Sequence, residues 1–195
     1  QDFAVFSGTM GEMHARKICK VLELAEKAGL PVIGIWDGDG QRPHEGVTSL
    51  GPNGEILDLL VSCSGKVPTL SIVLGTVSGT SALAAGLSDF VILGQQRGRM
   101  FMRSPYVIPE IMSGEVDEDT LGGATHHASR SGVACMVSES ESGAFDIAAE
   151  ILSFLPDHTM AEPPRLSTGD KWKRKCKGMG KLVPLDSDRP YDMRG

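Results

Sequence analysis

Residues 31–46, PVIGIWDGDGQRPHEG, and residues 69–87, TLSIVLGTVSGTSALAAGL, share one reading. Each opens with an apolar, β-branched run, enters a loop of glycines and small polar residues, and leads towards a helix. A run such as PVIGIW is apolar at every position, as expected of a strand in a sheet covered on both faces. A strand followed by a Gly-rich loop and a helix is the local form in which ligands meet backbone amides beyond strand ends.

The same alternation extends outward. Residues 10–28 read as an amphipathic helix with Ile18, Val21, Leu22, Ala25 and Ala28 on one face and lysines and Glu23 on another. Gly29 sits at the C-cap position and Pro31 stops the helix. Residues 3–6 read as a short strand, 37–46 and 75–80 as loops, and 56–62, 81–87, 106–112 and 142–155 as helices. Residues 89–93, 99–103 and 133–137 read as further strands. Strands alternating with helices require crossover connections, so the fold class is α/β with a mainly parallel sheet and flanking helices.

Composition limits the function classes. The chain has 195 residues, 41% hydrophobic, 23% charged and 5% aromatic, with 24 glycines. No apolar run reaches the ~20 residues that cross a bilayer, and no basic-then-apolar leader opens the sequence. The net charge of −6 argues against general nucleic-acid binding. The charge is uneven: residues 165–181 carry +6, leaving −12 elsewhere. That run reads as a solvated connecting segment, with a docking strip for a polyanion as the alternative. Cys19, Cys63, Cys135 and Cys176 lack the clustering that zinc requires. They read as reduced thiols of a cytoplasmic protein, or of one in the mitochondrial matrix.

The loops narrow the chemistry. Residues 37–45 begin like a calcium loop, but Arg42 stands where glycine is needed and Thr48 where the closing glutamate is needed. The loop lacks a Walker lysine and GxGxxG spacing. Gly75 to Thr80 is spaced G-x-x-S-G, unlike a nucleophile elbow, so Ser78 is a poor nucleophile. A helix starting there would aim free N–H groups at an anion, with Thr80 or Ser81 as cap. His14, His126 and His127 have no sequence-local partner and read as capping or core residues. No metal is expected.

QDFAVFSGTMGEMHARKICKVLELAEKAGLPVIGI closely resembles the N-terminal crotonase-like domain of the carboxyltransferase β subunit of biotin-dependent acyl-CoA carboxylases, of which propionyl-CoA carboxylase is the familiar example. The likeness continues through DGDGQRPHEGVTSL, where the family has DSGGAR, and GTVSGTSALAAGLSDFVIL, where it has GPCAGGAVYSPALTDF. It runs on through TLGGATHHASRSGVA and VPLDSDRPYDM. The resemblance implies a superhelix of ββα units over residues 1–155, starting partway into the first domain. Residues 156–190 would be a linker, and 190–195 the opening of an absent C-terminal domain.

The resemblance also implies an activity: transfer of a carboxyl group from carboxybiotin to a short-chain acyl-CoA. The enolate would be stabilised by main-chain amides, from Gly40 and Gln41 in one loop and Gly79 and Thr80 in the other. Gly38, Arg42, Gly75 and Ser78 would flank the acyl-CoA. Biotin, on a biotin carboxylase/biotin carrier subunit, would be the partner group and proton acceptor, and the assembly a homo-oligomer, a dimer or trimer of dimers. Asp39, Gln41 and Thr80 replace the family's glycine, alanine and glycine; each keeps its N–H and adds a side chain. A decarboxylase of malonyl- or methylmalonyl-CoA-type thioesters and a non-catalytic paralogue kept for assembly are the alternatives.

Overall fold

The structure, a computed structural model, describes residues 1–156, 158–175 and 178–191. Cys176 and part of the basic run, and residues 192–195 of the expected downstream opening, lie outside the described residues. The chain divides into two units, Gln1–Pro164 and Arg165–Gly195.

In the first unit, Glu12–Ala28 forms α1, burying Ala15, Cys19 and Leu22. Gly29, at φ +70°, turns the chain out through the left-handed region, its amide bonded to Ala25 and Glu26 carbonyls. Strand β1, Val32–Gly38, follows, then α2, Val47–Cys63, and β2, Thr69–Ser78. Helix α3, Gly79–Gly86, leads to β3, Phe90–Gly94, and β4, Arg99–Phe101. The short helices α4 (Pro109–Met112), α5 (Glu118–Gly122) and α6 (Ala124–His126) precede β5, Met136–Ser138, and α7, Glu141–Ser153.

The strands form one parallel sheet in the order β1-β2-β3-β5, with β4 also on β2. Strand β2 is shared: its first half pairs β3 from Leu70 to Val73, and its last three residues pair β4. Between the halves the register with β1 jumps, Trp36 opposing Val73 and Gly38 opposing Val77. This bulge re-aims the end of β2. Successive β2 residues bury on opposite faces: Leu70 and Ile72 join Ile92, Ala144, Ala148 and Ile151 under α7. Val73 and Val77 join Leu22, Ile56 and Leu60 under α1 and α2. Each of the Val, Leu and Ile side chains contributes about 1.5–3 kcal/mol of apolar transfer energy.

Several expected boundaries move. Residues 3–6 form turns rather than a strand; Phe6–Gly8 is a 3-10 turn, with Phe6 and Ser7 at positive φ. Positive φ at both residues is incompatible with an extended strand. Helix α2 begins nine residues before the expected 56, running through Gly51 and Pro52. It holds because Ser49, Asn53, Ile56, Leu60 and Cys63 all bury on one face. Residues 75–78 continue β2 instead of forming a loop. The expected helix 106–112 is a 3-10 turn, Pro105–Val107, followed by α4. Among the described residues, no helix is long and apolar enough to cross a membrane.

In the second unit the described part of the basic run is exposed. Trp172 is 88% exposed with the Lys173 ammonium 4.6 Å above its ring, and Arg174 pairs with Asp170. A short helix, α8 (Met179–Leu182), lies further along.

Candidate active site

The end of β1 and the end of β2 leave the sheet side by side, and each becomes a turn. Met10 fixes the first turn. Its amide donates to the Gly40 carbonyl, and its carbonyl accepts from the Arg42 amide, both at 2.9 Å. This is a parallel bridge centred on Gln41. An extended backbone alternates its bonding edges, so the Gln41 amide faces away from Met10.

The second turn starts α3. Gly79 has φ +54°, a conformation that costs an ordinary residue about 1–2 kcal/mol, which is why glycine stands here. The N-cap is Ser78, not the expected Thr80 or Ser81, and its side chain does not cap the helix. Its hydroxyl donates to Asp39 Oδ1 at 2.8 Å instead. The first-turn amides of α3 therefore carry no side-chain cap, and they present partial positive charge.

The two turns abut. A carbon added at Gly40 would lie 2.7 Å from the Thr80 amide nitrogen, and one added at Gly79 would lie 4.0 Å from the Gly40 Cα. Gln41 is exposed and Gly79 and Thr80 are half-buried, so this junction opens at the surface. The Thr80 hydroxyl stands 3.4 Å from both Gln41 Oε1 and Asn53 Oδ1; one proton serves one acceptor at a time. Asp39 is tied down on three sides. Its amide donates to Ser7, its carbonyl accepts from Ser81 Oγ and its carboxylate accepts from Ser78. The side chain that replaces the family's glycine joins the turns.

The four flanking positions fare differently from the amide pairs. Buried Gly38 packs against Gly8, where an added carbon would lie 2.6 Å from the Gly8 Cα. Gly75 sits in the β2 bulge, where the Asp37 carboxylate fills the space a side chain would take. Arg42 turns its guanidinium inward, to Glu45 at 2.9 Å and the Thr9 carbonyl at 2.9 Å, over the Phe6 ring at 4.9 Å. Glu45 in turn caps the Glu12 amide at 2.6 Å. Ser78, Gly38, Gly75 and Arg42 thus brace the turns from behind.

The histidines lie elsewhere. His127 bonds through Nε2 to the Met100 carbonyl at 3.0 Å and through Nδ1 to Ser131 Oγ at 2.7 Å. Burial holds half-buried His14 below its ordinary pKa. Sequence reasoning missed Ser49 and Asn53, two polar residues buried behind the first turn. Their i,i+4 spacing was the available signal, hidden by the Gly-Pro pair between them.

A model of the carboxyl transferase domain matches residues 1–195. The propionyl-CoA carboxylase carboxyltransferase subunit of Haloferax mediterranei is 40% identical over 192 residues, which are 98% of this chain and 37% of that subunit. The methylmalonyl-CoA decarboxylase subunit alpha of Veillonella parvula is 38% identical over 194 residues, 100% of this chain and 38% of that one. The crystal structure of transcarboxylase 12S, a hexamer assembly with methylmalonyl-CoA and methylmalonic acid bound, matches with a TM-score of 0.81 at 32% identity. That match covers 100% of this chain and 37% of the transcarboxylase chain. The chain therefore spans little more than a third of the length of these relatives. With a family match over residues 1–195 and a close fold likeness to the transcarboxylase, this chain belongs to the carboxyl transferase domain family, on the crotonase-like α/β fold.

Proposed function

We propose that the full-length protein moves a carboxyl group from carboxybiotin to a short-chain acyl-CoA such as propionyl-CoA. In this reading, residues 1–155 supply the acyl-CoA half of the site. The observation that carries it is the junction of the two turns, where a carbon at Gly40 would lie 2.7 Å from the Thr80 amide nitrogen. Removing the α-proton of an acyl-CoA moves negative charge onto the thioester oxygen. An amide from residues 40–41 and one from 79–80 donate to that oxygen more strongly as its charge grows. Each such donor typically contributes about 10²–10³ in rate. The uncapped end of α3 adds its partial positive charge to the same spot. Carboxybiotin, when bound, supplies the CO2 and the proton acceptor, and it arrives on a carrier partner. A cytoplasmic setting and a homo-oligomer, a dimer or a trimer of dimers, belong to this proposal.

The Veillonella parvula relative favours a second reading, decarboxylation of a methylmalonyl-type thioester through the same enolate. The test uses the full-length protein with propionyl-CoA and methylmalonyl-CoA, each with and without a carboxybiotin-loaded carrier. Carrier-dependent carboxylation of propionyl-CoA is the expected result. Carrier-independent CO2 release from methylmalonyl-CoA supports the second reading. Folded protein that neither binds nor turns over either thioester overturns both.

A further inference from the structure

Behind the first turn, α2 buries two polar side chains one helical turn apart: Ser49, fully buried, and Asn53, 1% exposed. Burying a carboxamide costs several kcal/mol unless its hydrogen bonds are made. Here they are made to the backbone of the site. Asn53 Nδ2 donates to the Met10 carbonyl at 3.2 Å and to the Ser49 carbonyl at 2.8 Å. The Met10 carbonyl is the one that holds the Arg42 amide, while the Met10 amide holds the Gly40 carbonyl. Ser49 Oγ stands 3.0 Å from the Arg42 carbonyl and 3.1 Å from the Gly46 carbonyl, with one proton to serve the two. On its other side, Asn53 Oδ1 is the acceptor 3.4 Å from the Thr80 hydroxyl. One buried carboxamide thus contacts both halves of the junction, through Met10 to residues 40–42 and through Thr80 to the start of α3.

We infer that Asn53 is a positioning residue, which sets the spacing and direction of the two amide pairs and so acts on turnover without touching substrate. Ser49 assists by fixing the end of the first turn. An apolar residue of similar size would fill the space and keep α2 packed, but it would let the Gly40–Arg42 backbone shift. Such a shift weakens donation to the charged oxygen more than it weakens binding of the neutral thioester, so it lowers kcat and spares KM. The inference rests on the thioester-oxygen role proposed above.

The test compares Asn53→Leu with Leu60→Ala in the full-length protein with its carrier, propionyl-CoA as substrate. Leu60 is buried on the same helix among apolar neighbours, so its truncation loosens α2 without cutting the clamp. For Asn53→Leu, kcat should fall about 10- to 100-fold with KM within about threefold. Amide hydrogen exchange over residues 40–42 should quicken by about tenfold. Leu60→Ala should lower Tm while kcat per folded molecule stays within about twofold. An unchanged kcat in folded Asn53→Leu, or equal losses in the two variants, overturns the inference. If Asn53→Leu does not fold, Thr80→Val cuts the bridge from the other side and keeps the Thr80 amide. There kcat should fall about 3- to 10-fold at constant KM, and no fall overturns the inference. If the wild type turns over no acyl-CoA, the functional proposal fails by itself. Hydrogen exchange then decides the clamp, and unchanged protection over residues 40–42 refutes it.

Discussion

Gly40 is where the two turns approach most closely. Its missing side chain lets two turns approach, and a methyl group there would lie 2.7 Å from both the Thr80 amide nitrogen and its Oγ1. Neither neighbour is the flexible end of a long side chain, so the turns must part. Gly40→Ala should lower kcat by about 10²-fold or more in the full-length protein and cost about 1–3 kcal/mol of stability, as steady-state kinetics and urea unfolding would show. Gly79→Ala acts through the backbone instead of through a clash. Its new carbon meets nothing closer than 3.9 Å, but φ +54° strains any ordinary residue, so stability should drop by about 1–2 kcal/mol in urea unfolding. The cysteines give a separate check. Burial pushes the Cys19 thiol up to about 11, raises Cys63 as well, and leaves Cys135 exposed. A thiol reagent at pH 8 should leave Cys19 and Cys63 unmodified until denaturant is added. Because the raised Cys19 pKa means that the fold opposes ionisation, its contribution to stability is complete below the ordinary value of 9.0. It declines as pH rises through about 11.

Element by element, what the sequence discloses depends on whether an inward face is apolar. Strands β1 and β3 were legible because Val32–Trp36 and Val91–Leu93 are apolar on both faces, and α1 and α7 because their stripes repeat at helical spacing. Two things were hidden. The first half of α2 buries Ser49, Pro52 and Asn53, residues that look like a loop until the Met10 and Arg42 carbonyls they answer are known. The end of β2 is Gly75-Thr76-Val77-Ser78, where the Asp37 carboxylate takes the space beside Gly75 and Asp39 accepts from Ser78. The site was legible as two Gly-rich turns. Its bracing was not, since Arg42, Glu45 and Met10 contribute through contacts tens of residues distant in sequence. Helix α7 offers a clean local test. Ser140 caps it, accepting from the Gly143 amide at 3.0 Å. Ser140→Ala should cost about 1 kcal/mol in urea unfolding, while acyl-CoA turnover stays unaltered.

At the scale of the molecule, function follows from a sheet that divides. The bulge at Asp37 and Gly75 splits β2 between β3 and β4, and the strand end beyond that bulge delivers α3 to the turn after β1. The apolar layers on both faces fix that divergence, and the bonds of Asp39, Arg42 and Asn53 secure the amide junction upon it. This explains how Asp39, Gln41 and Thr80 can differ from the family's small residues while the turns still meet. In the proposed reaction a thioester oxygen sits between these turns. The direct measurement is a structure of the full-length protein with propionyl-CoA bound. The predicted result is a thioester oxygen within about 3.2 Å of one amide nitrogen from residues 40–41 and one from 79–80. A well-ordered thioester whose oxygen lies beyond hydrogen-bond reach of both turns would contradict it.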